Sequence, residues 1–435
     1  MQFVSTRGGV PPVSFGAALR QGLAGDGGLY VPATWPRLAL EQFEGAGELA
    51  EFATRLIGPF AAGDALAPSL ADINRDAFDF PVPMTPVDDS GRYEVLELFH
   101  GPTAAFKDVG ARFLAATLMR LRRAEEPETQ ILVATSGDTG GAVAAAFYGR
   151  PGIAVTVLFP EGLVSPTQQQ QLTCWGGNVR AFAVRGSFDD CQRLVKQAFA
   201  DAALRARFEL SSANSINLGR LLPQASYYAR ASMSVWRRYG RRASFIIPTG
   251  NLGNALACIW ARHLGLPIDR VVLAVNANRT IPDFLASGDW QPQASRATLA
   301  SAMDVGNPSN MERLRHLFPA IETLRGAVSS VSITDAEITA RIVADFTQYQ
   351  RVWCPHTAVA AEAYARMPVA EKSAHHWVIV ATAHPAKFSE IMRPLVGAAL
   401  RTPPSLQALY ERPSRFETLP ADLASLRTAL LASAA

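Results

Sequence analysis

Six apolar runs recur between residues 131 and 382, and they restrict the chain to one broad class of fold. They are ILVAT (131–135), IAVTVLFP (153–160), VRAFAV (179–184), SFIIP (244–248), VVLAVN (271–276) and HWVIVAT (376–382). Each is short for a helix, rich in β-branched residues and nearly free of polar positions. A strand without a polar face must be covered on both sides, as parallel strands flanked by helices are. Helix-length segments alternate with the runs: Ala111 to Leu121, Ala142 to Tyr148, a glutamine-rich stretch after EGLVSP, Phe188 to Ala203, and Ala255 to Leu264. YEVLELF (93–99) adds a short strand. The expectation is an α/β chain with two open, twisted, largely parallel sheets, one per lobe, and 435 residues suffice for both.

The flanks read differently. Residues 1–82 form an N-terminal module, in which GDGGLY (25–30) is a turn and Leu38 to Phe60 is helical with a break near Gly45 to Gly47. PVPMTPVDDSG (81–91), with three prolines, reads as a linker. The core spans 83–400, with the smaller lobe at roughly 128–235. Residues 401–435 are a C-terminal extension with a helix near Ala421 to Leu431.

Open α/β sheets bind ligands beyond the carboxyl ends of their strands, and polar segments sit there. Ser136-Gly137-Asp138-Thr139-Gly140-Gly141 joins a strand to a helix; its glycines and free N–H groups suit a carboxylate or phosphate, although Ser136 or Asp138 as a plain cap explains it too. Thr249-Gly250-Asn251-Leu252-Gly253-Asn254 repeats the arrangement and suits a phosphate held by backbone. Asn214, Ser215, Asn217 and Arg220 gather donors before a long helix, with Arg220 a fork for an anion; a solvated helix start accounts for each singly. Thr382 and His384 follow the last strand. Neither GxGxxG nor GxxxxGK[ST] occurs.

Lysine is scarce. Of 41 basic residues only Lys107, Lys196, Lys372 and Lys387 are lysine. An arginine cannot shed its proton, whereas a buried lysine amine can be neutral and nucleophilic. Lys107, between Ala104-Ala105-Phe106 and an apolar helix, is the candidate for Schiff-base chemistry, with Lys387 its rival; opening a helix is its ordinary alternative.

A net charge of +3 and dispersed charges give no reason to expect nucleic acid. No apolar run reaches the roughly 20 residues a membrane-spanning helix needs, and the first residues lack a secretory pattern. The four cysteines form no CxxC pair; free thiols in the cytoplasm, and no metal site, are expected.

Taken together, VSFGAALRQGLAGDGGLYVP, LELFHGPTAAFKD, ATSGDTGGAVAAAFYG, FPEGLVSPTQQQQL, SANSINLGRLLPQASYY, IPTGNLGNALA, ASAMDVGNPSN and ATAHPAKF resemble, in order, segments of the threonine synthase family. That family is pyridoxal-phosphate-dependent and of fold type II, like tryptophan synthase β. The resemblance covers nearly the whole chain. It implies a lyase that makes L-threonine and phosphate from O-phospho-L-homoserine and water, working as a monomer or homodimer. It implies that Lys107 carries pyridoxal phosphate as a Schiff base, that Gly250, Asn251, Leu252, Gly253 and Asn254 cradle the cofactor phosphate, and that Thr382 faces the ring nitrogen. Ser136, Gly137, Asp138 and Thr139 would hold the substrate carboxylate or the ring-oxygen side, and Asn214, Ser215, Asn217 and Arg220 the substrate phosphate. Asp138 stands where many fold relatives have asparagine, and GNLGN where many family members read GNFGD. Dehydration of threonine or serine, a non-catalytic phosphometabolite sensor and a nicotinamide oxidoreductase are the alternatives.

Overall fold

The computed structural model describes residues 1–123 and 125–432; residues 433–435 of the C-terminal extension lie outside the described residues. Its centre is a six-stranded sheet in the order Ser329–Ser332, Ile268–Val275, Ala243–Pro248, His376–Ala381, Tyr93–Glu97 and Met84–Pro86. All neighbours are parallel except the last, antiparallel pair. The unbroken apolar runs are explained by two cores. Phe245, Ile247, Val378 and Val380 enter one, shared with helix Gly253–His263, while Ile246, Trp377 and Ile379 enter the other, shared with helix Pro355–Ala365. Side chains that alternate between faces must all be apolar when both faces are covered.

The second sheet is five-stranded and wholly parallel, in the order Glu417–Pro420, Val179–Arg185, Ile153–Pro160, Thr129–Ala134 and Glu209–Ser212. The same alternation splits Ile131, Val133 and Val155 from Leu132, Leu158 and Phe182. Two open, largely parallel sheets are thus present, one per lobe.

Two expectations need correction. The segment 81–91 is not only a linker: Met84–Pro86 pairs with Glu94 to Leu96, at a sheet edge where a proline's missing N–H costs no ladder bond. The C-terminal extension supplies a strand as well as a helix, since Thr418 pairs with Ala183 before helix Leu423–Ala432. The N-terminal module has its own antiparallel sheet, Val13–Ser14, Gln2–Ser5 and Tyr30–Pro32, and helix Leu49–Ala61. It has no separate core: Phe3, Phe60 and Trp260 belong to one cluster, and Trp35 meets Trp260 edge-on at 5.0 Å. Among the described residues, no helix is long and apolar enough to cross a membrane.

Candidate active site

Lys107 is placed by backbone pairing. The loop after Glu97 runs alongside the end of strand His376–Ala381: Leu98 N donates to Ala381 O at 2.9 Å, Phe106 N to Thr382 O at 2.9 Å, and His384 N to Ala104 O at 3.0 Å. Lys107 is the first residue of helix Lys107–Leu121 and so sits beside Thr382. The loop is further pinned by Asp108, which accepts from Thr103 N at 2.9 Å and Thr103 Oγ1 at 2.7 Å. Lys107 Nζ donates to Thr139 Oγ1 at 2.8 Å. Burial lowers its pKa from 10.5 to about 8, with Asp138 opposing and Arg220 and Lys387 assisting.

Thr139 and Asp138 come from the opposite lobe. There Thr135 Oγ1 accepts from Gly137 N and Gly140 N, at 3.0 and 2.9 Å, which folds the turn tightly. Gly137 has φ +146°, and a Cβ on it would stand 2.4 Å from Gln168 Nε2. Asp138 is buried, 2.8 Å from Lys387 Nζ, and accepts from Gln168 Nε2 at 3.3 Å. Burial pushes its carboxyl up, but Lys387 outweighs this and holds it at about 2. The Asp138 side chain is thus committed to Lys387 and Gln168, while its backbone N–H at the start of helix Asp138–Phe147 and the hydroxyls of Ser136 and Thr139 are the groups in this turn suited to an anion.

The Thr249–Asn254 loop opens helix Gly253–His263 through Leu252 in the left-handed region, φ +62°, a conformation of the kind found in anion-binding backbone nests. A Cβ on Gly250 would stand 2.7 Å from Met303 Cα. Asn251 Nδ2 donates to Ser215 Oγ at 2.7 Å, and its carbonyl accepts from Asn310 Nδ2 at 3.1 Å. Arg313, fully buried, donates to Asn310 Oδ1 at 2.8 Å, to Ile216 O at 2.6 Å and to Tyr30 O at 3.0 Å. Asn254 turns inward, its Oδ1 taking the hydroxyls of Tyr227 and Tyr228 at 2.5 and 2.8 Å while Nδ2 stays buried without a partner.

The donor cluster at 214–220 divides. Asn214 Nδ2 donates to Ala134 O at 3.0 Å and Ser215 meets Asn251, so both line the cleft between the lobes. Asn217 does not: its amide donates to Leu19 O and Ser212 O and its Oδ1 caps Gly219 N, so no capacity is left for a substrate. That corrects its expected role. Nor is the helix start solvated, since Asn217 and Arg220 are both buried. Arg220 Nη1 donates to Ala213 O, but Nε is buried without a partner. Burial lowers its guanidinium to about 10 against the opposing pull of Asp108, and among the described residues no carboxylate stands in salt-bridge contact with it.

Thr382 is buried, with its carbonyl used by Phe106. His384 caps the turn Pro385–Phe388 by accepting from Ala386 N at 3.1 Å, so it is structural. His356 was not singled out from sequence as a neighbour of the site. It accepts from Ala302 N at 3.0 Å, and burial lowers its pKa to about 4 despite Asp138. Also missed as individual residues were Thr103, Gln168 and Asn310, which lie in the HGPTAAFKD, glutamine-rich and GNPSN segments, and Arg313, which lies in none of them.

Pyridoxal phosphate fits this donor set. The basic side chains Lys387 and Arg220, both buried, and Lys107, half-buried, outnumber the carboxylates Asp138 and Asp108, which favours anionic ligands. Arg220 Nε and Asn254 Nδ2 are orphaned buried donors, and Gly250 leaves room only for backbone.

Comparisons with known proteins agree. The model for pyridoxal-phosphate dependent enzymes matches residues 91–383, that for the threonine synthase N terminus residues 2–78, and that for the threonine synthase C-terminal region residues 357–430. Threonine synthases from Serratia marcescens and Escherichia coli K12 are each 39% identical to the chain, with 96% of both chains covered. The crystal structure of threonine synthase from Escherichia coli superposes with a TM-score of 0.91 at 35% identity over 100% of both chains. A pyridoxal-phosphate-bound threonine synthase from Brucella melitensis superposes at 0.90 and 34%, covering 99% of this chain and 98% of that one. Maize serine racemase, 15% identical with a TM-score of 0.52 and covering 77% and 92%, shares the fold alone.

Proposed function

The chain belongs to the threonine synthase family of pyridoxal-phosphate-dependent enzymes, and from that premise we propose that it converts O-phospho-L-homoserine and water to L-threonine and phosphate. One observation carries the residue assignments. A half-buried lysine amine held at 2.8 Å by a hydroxyl lies within electrostatic reach of a buried guanidinium whose Nε has no hydrogen-bond partner among the described residues.

When bound, pyridoxal phosphate supplies an aldehyde for an amine and a conjugated ring that stores the electron pair of a broken C–H bond. The backbone N–H groups at Gly250, Asn251, Leu252, Gly253 and Asn254 are the proposed hold on its phosphate, and the Thr382 hydroxyl the proposed partner of its ring nitrogen. A hydroxyl there, unlike a carboxylate, would supply no negative charge to hold a proton on that nitrogen. Lys107 is assigned as the attachment point and the proton carrier. Its amine, with a pKa of about 8, is neutral in part of the molecules at neutral pH, so it can accept the proton leaving the substrate α-carbon. Thr139 fixes the direction of its Nζ.

Loss of a β-proton and breakage of the γ-carbon–oxygen bond release phosphate, which keeps the bonding pair. A proton then returns at the γ-carbon and water adds its oxygen at the β-carbon. Arg220, Asn214 and Ser215 are assigned to the departing phosphoryl group, and Ser136, Gly137 and Thr139 to the substrate carboxylate. Water must be absent early and present late, and the cleft between two lobes suits such gating.

A cytoplasmic setting is supported by four buried free thiols. A monomer or homodimer is the proposed state of assembly. The test is to incubate pure protein with O-phospho-L-homoserine and measure threonine and phosphate together. Equal yields are expected; phosphate or ammonia without threonine would overturn the reading.

A further inference from the structure

Two lysines and one carboxylate meet at the floor of the cleft, and only one of the lysines is used by the reaction above. Lys387 is completely buried. Its Nζ lies 2.8 Å from Asp138 Oδ1 and donates to Thr103 O at 2.9 Å. Asp138 opens the helix that follows a strand of the five-stranded sheet, and Lys387 lies in the turn after a strand of the six-stranded one. The pair therefore joins the lobes. A buried ion pair gains little stability by itself, because desolvation offsets attraction. It does decide what charge its neighbours see. Asp138 directly precedes Thr139, the acceptor of the Lys107 amine.

We propose that Lys387 is a positioning residue for Lys107: by engaging Asp138 between the lobes, it keeps that carboxylate from stabilising a proton on the Lys107 amine, which stays free to condense with a carbonyl. The inference rests on Lys107 being the lysine that takes up pyridoxal phosphate. The other charged or titratable groups around Lys107 are Arg220 from helix Leu218–Leu221, His356 from helix Pro355–Ala365, and Asp108 on its own helix, which is occupied by Thr103. None of them replaces Lys387 at Asp138. After burial, Asp138 is the group that raises the Lys107 pKa, and Arg220 and Lys387 lower it. Removing Lys387 thus favours the protonated amine, and removing the Asp138 charge favours the neutral one.

The experiment uses the whole chain cleared of cofactor and then mixed with pyridoxal 5'-phosphate from about pH 6 to about pH 11.5, which brackets an ordinary and a lowered lysine pKa. Adduct formation is followed by visible absorbance, trapped with borohydride and mapped. In Lys387→Met the half-maximal pH should move to the alkaline side by about one unit, roughly tenfold slower formation near neutrality. In Asp138→Asn it should move to the acid side, and in Lys387→Arg it should stay in place. Coincident midpoints for Lys387→Met and the parent, with the label on residue 107, overturn the proposal alone. Shifts of both variants in the same direction, as loss of a merely structural pair would give, also overturn it. A label elsewhere in the parent overturns the functional assignment and the proposal with it. Should Lys387→Met fail to fold, an acid shift in Asp138→Asn beside an unmoved Lys387→Arg supports the proposal, and an unmoved Asp138→Asn overturns it.

Discussion

Helix Lys107–Leu121 passes the Leu218–Leu221 turn at a distance that only glycine permits. A Cβ at Gly110 would stand 2.4 Å from Arg220 O and 3.0 Å from Arg220 Cα. Carbon–oxygen contacts settle nearer to about 3.3 Å, so Gly110→Ala must displace one element by roughly 1 Å. Alanine gains about 1 kcal/mol in helix propensity at most, whereas overpacking costs about 1–3 kcal/mol. With that gain subtracted, a net loss of up to about 2 kcal/mol is expected in urea unfolding. The displaced backbone carries Arg220, whose guanidinium is tied to Ala213 O and whose carbonyl is tied to Gln224 Nε2 at 2.6 Å. Misplacing a binding group by 1 Å costs up to about 100-fold, so kcat/KM for the phosphorylated substrate should fall between tenfold and that limit. The matched control is Gly326→Ala, in helix Ile321–Ala327, where nothing lies within 4 Å of the added carbon. It should leave kinetics unchanged and stability equal or slightly higher. If Gly110→Ala unfolds at the parent's urea midpoint with parental kinetics, the steric reasoning is wrong.

Other perturbations separate the remaining assignments. Lys107→Ala should abolish both turnover and the borohydride-trapped label; retention of either removes Lys107 from the chemistry. Arg220→Met, which keeps the bulk of the side chain, should lose at least about tenfold in preference for O-phospho-L-homoserine over homoserine, as loss of a charged hydrogen bond predicts; an unchanged ratio places Arg220 outside the phosphate site. His356 is held neutral in the fold, at about 4 against an ordinary 6.5. Its contribution is therefore intact above pH 6.5 and lost as pH falls toward 4, because only the unfolded chain takes up the proton. His356→Gln should reduce the stability lost between pH 7.5 and pH 5 by about 2 kcal/mol in urea titrations; an identical loss in both proteins excludes that histidine as the source.

What could be read from the chain followed from how completely an element is covered. SFIIP and HWVIVAT announce themselves because both faces of their strands are buried. Glu417–Pro420 does not, since its residues are polar or exposed at a sheet edge and only their pairing with Phe182 to Arg185 makes them a strand. In the site, Lys107 stood out by contrast with an arginine-rich background. Arg313 had no such contrast, although it is fully buried and ties Tyr30 to Ile216 and Asn310. Asn217 shows the opposite error: an asparagine ahead of a helix has the same sequence appearance whether it meets a ligand or caps Gly219. The pairing of Asp138 with Lys387 joins distant stretches that nothing local connects.

The late strand at Glu417–Pro420 also bears on how the chain is made. Synthesis runs from the N-terminus, so Thr129–Ala134, Ile153–Pro160 and Val179–Arg185 leave the ribosome long before their outermost partner exists. Throughout translation of the larger lobe, the flank of Val179–Arg185 offers unpaired amides and carbonyls to any neighbouring nascent chain. The smaller lobe is finished only when residues 417–420 emerge, after the strands of the larger lobe, and a message truncated shortly before codon 417 would yield a protein with its reactive lysine in place and a permanently adhesive rim.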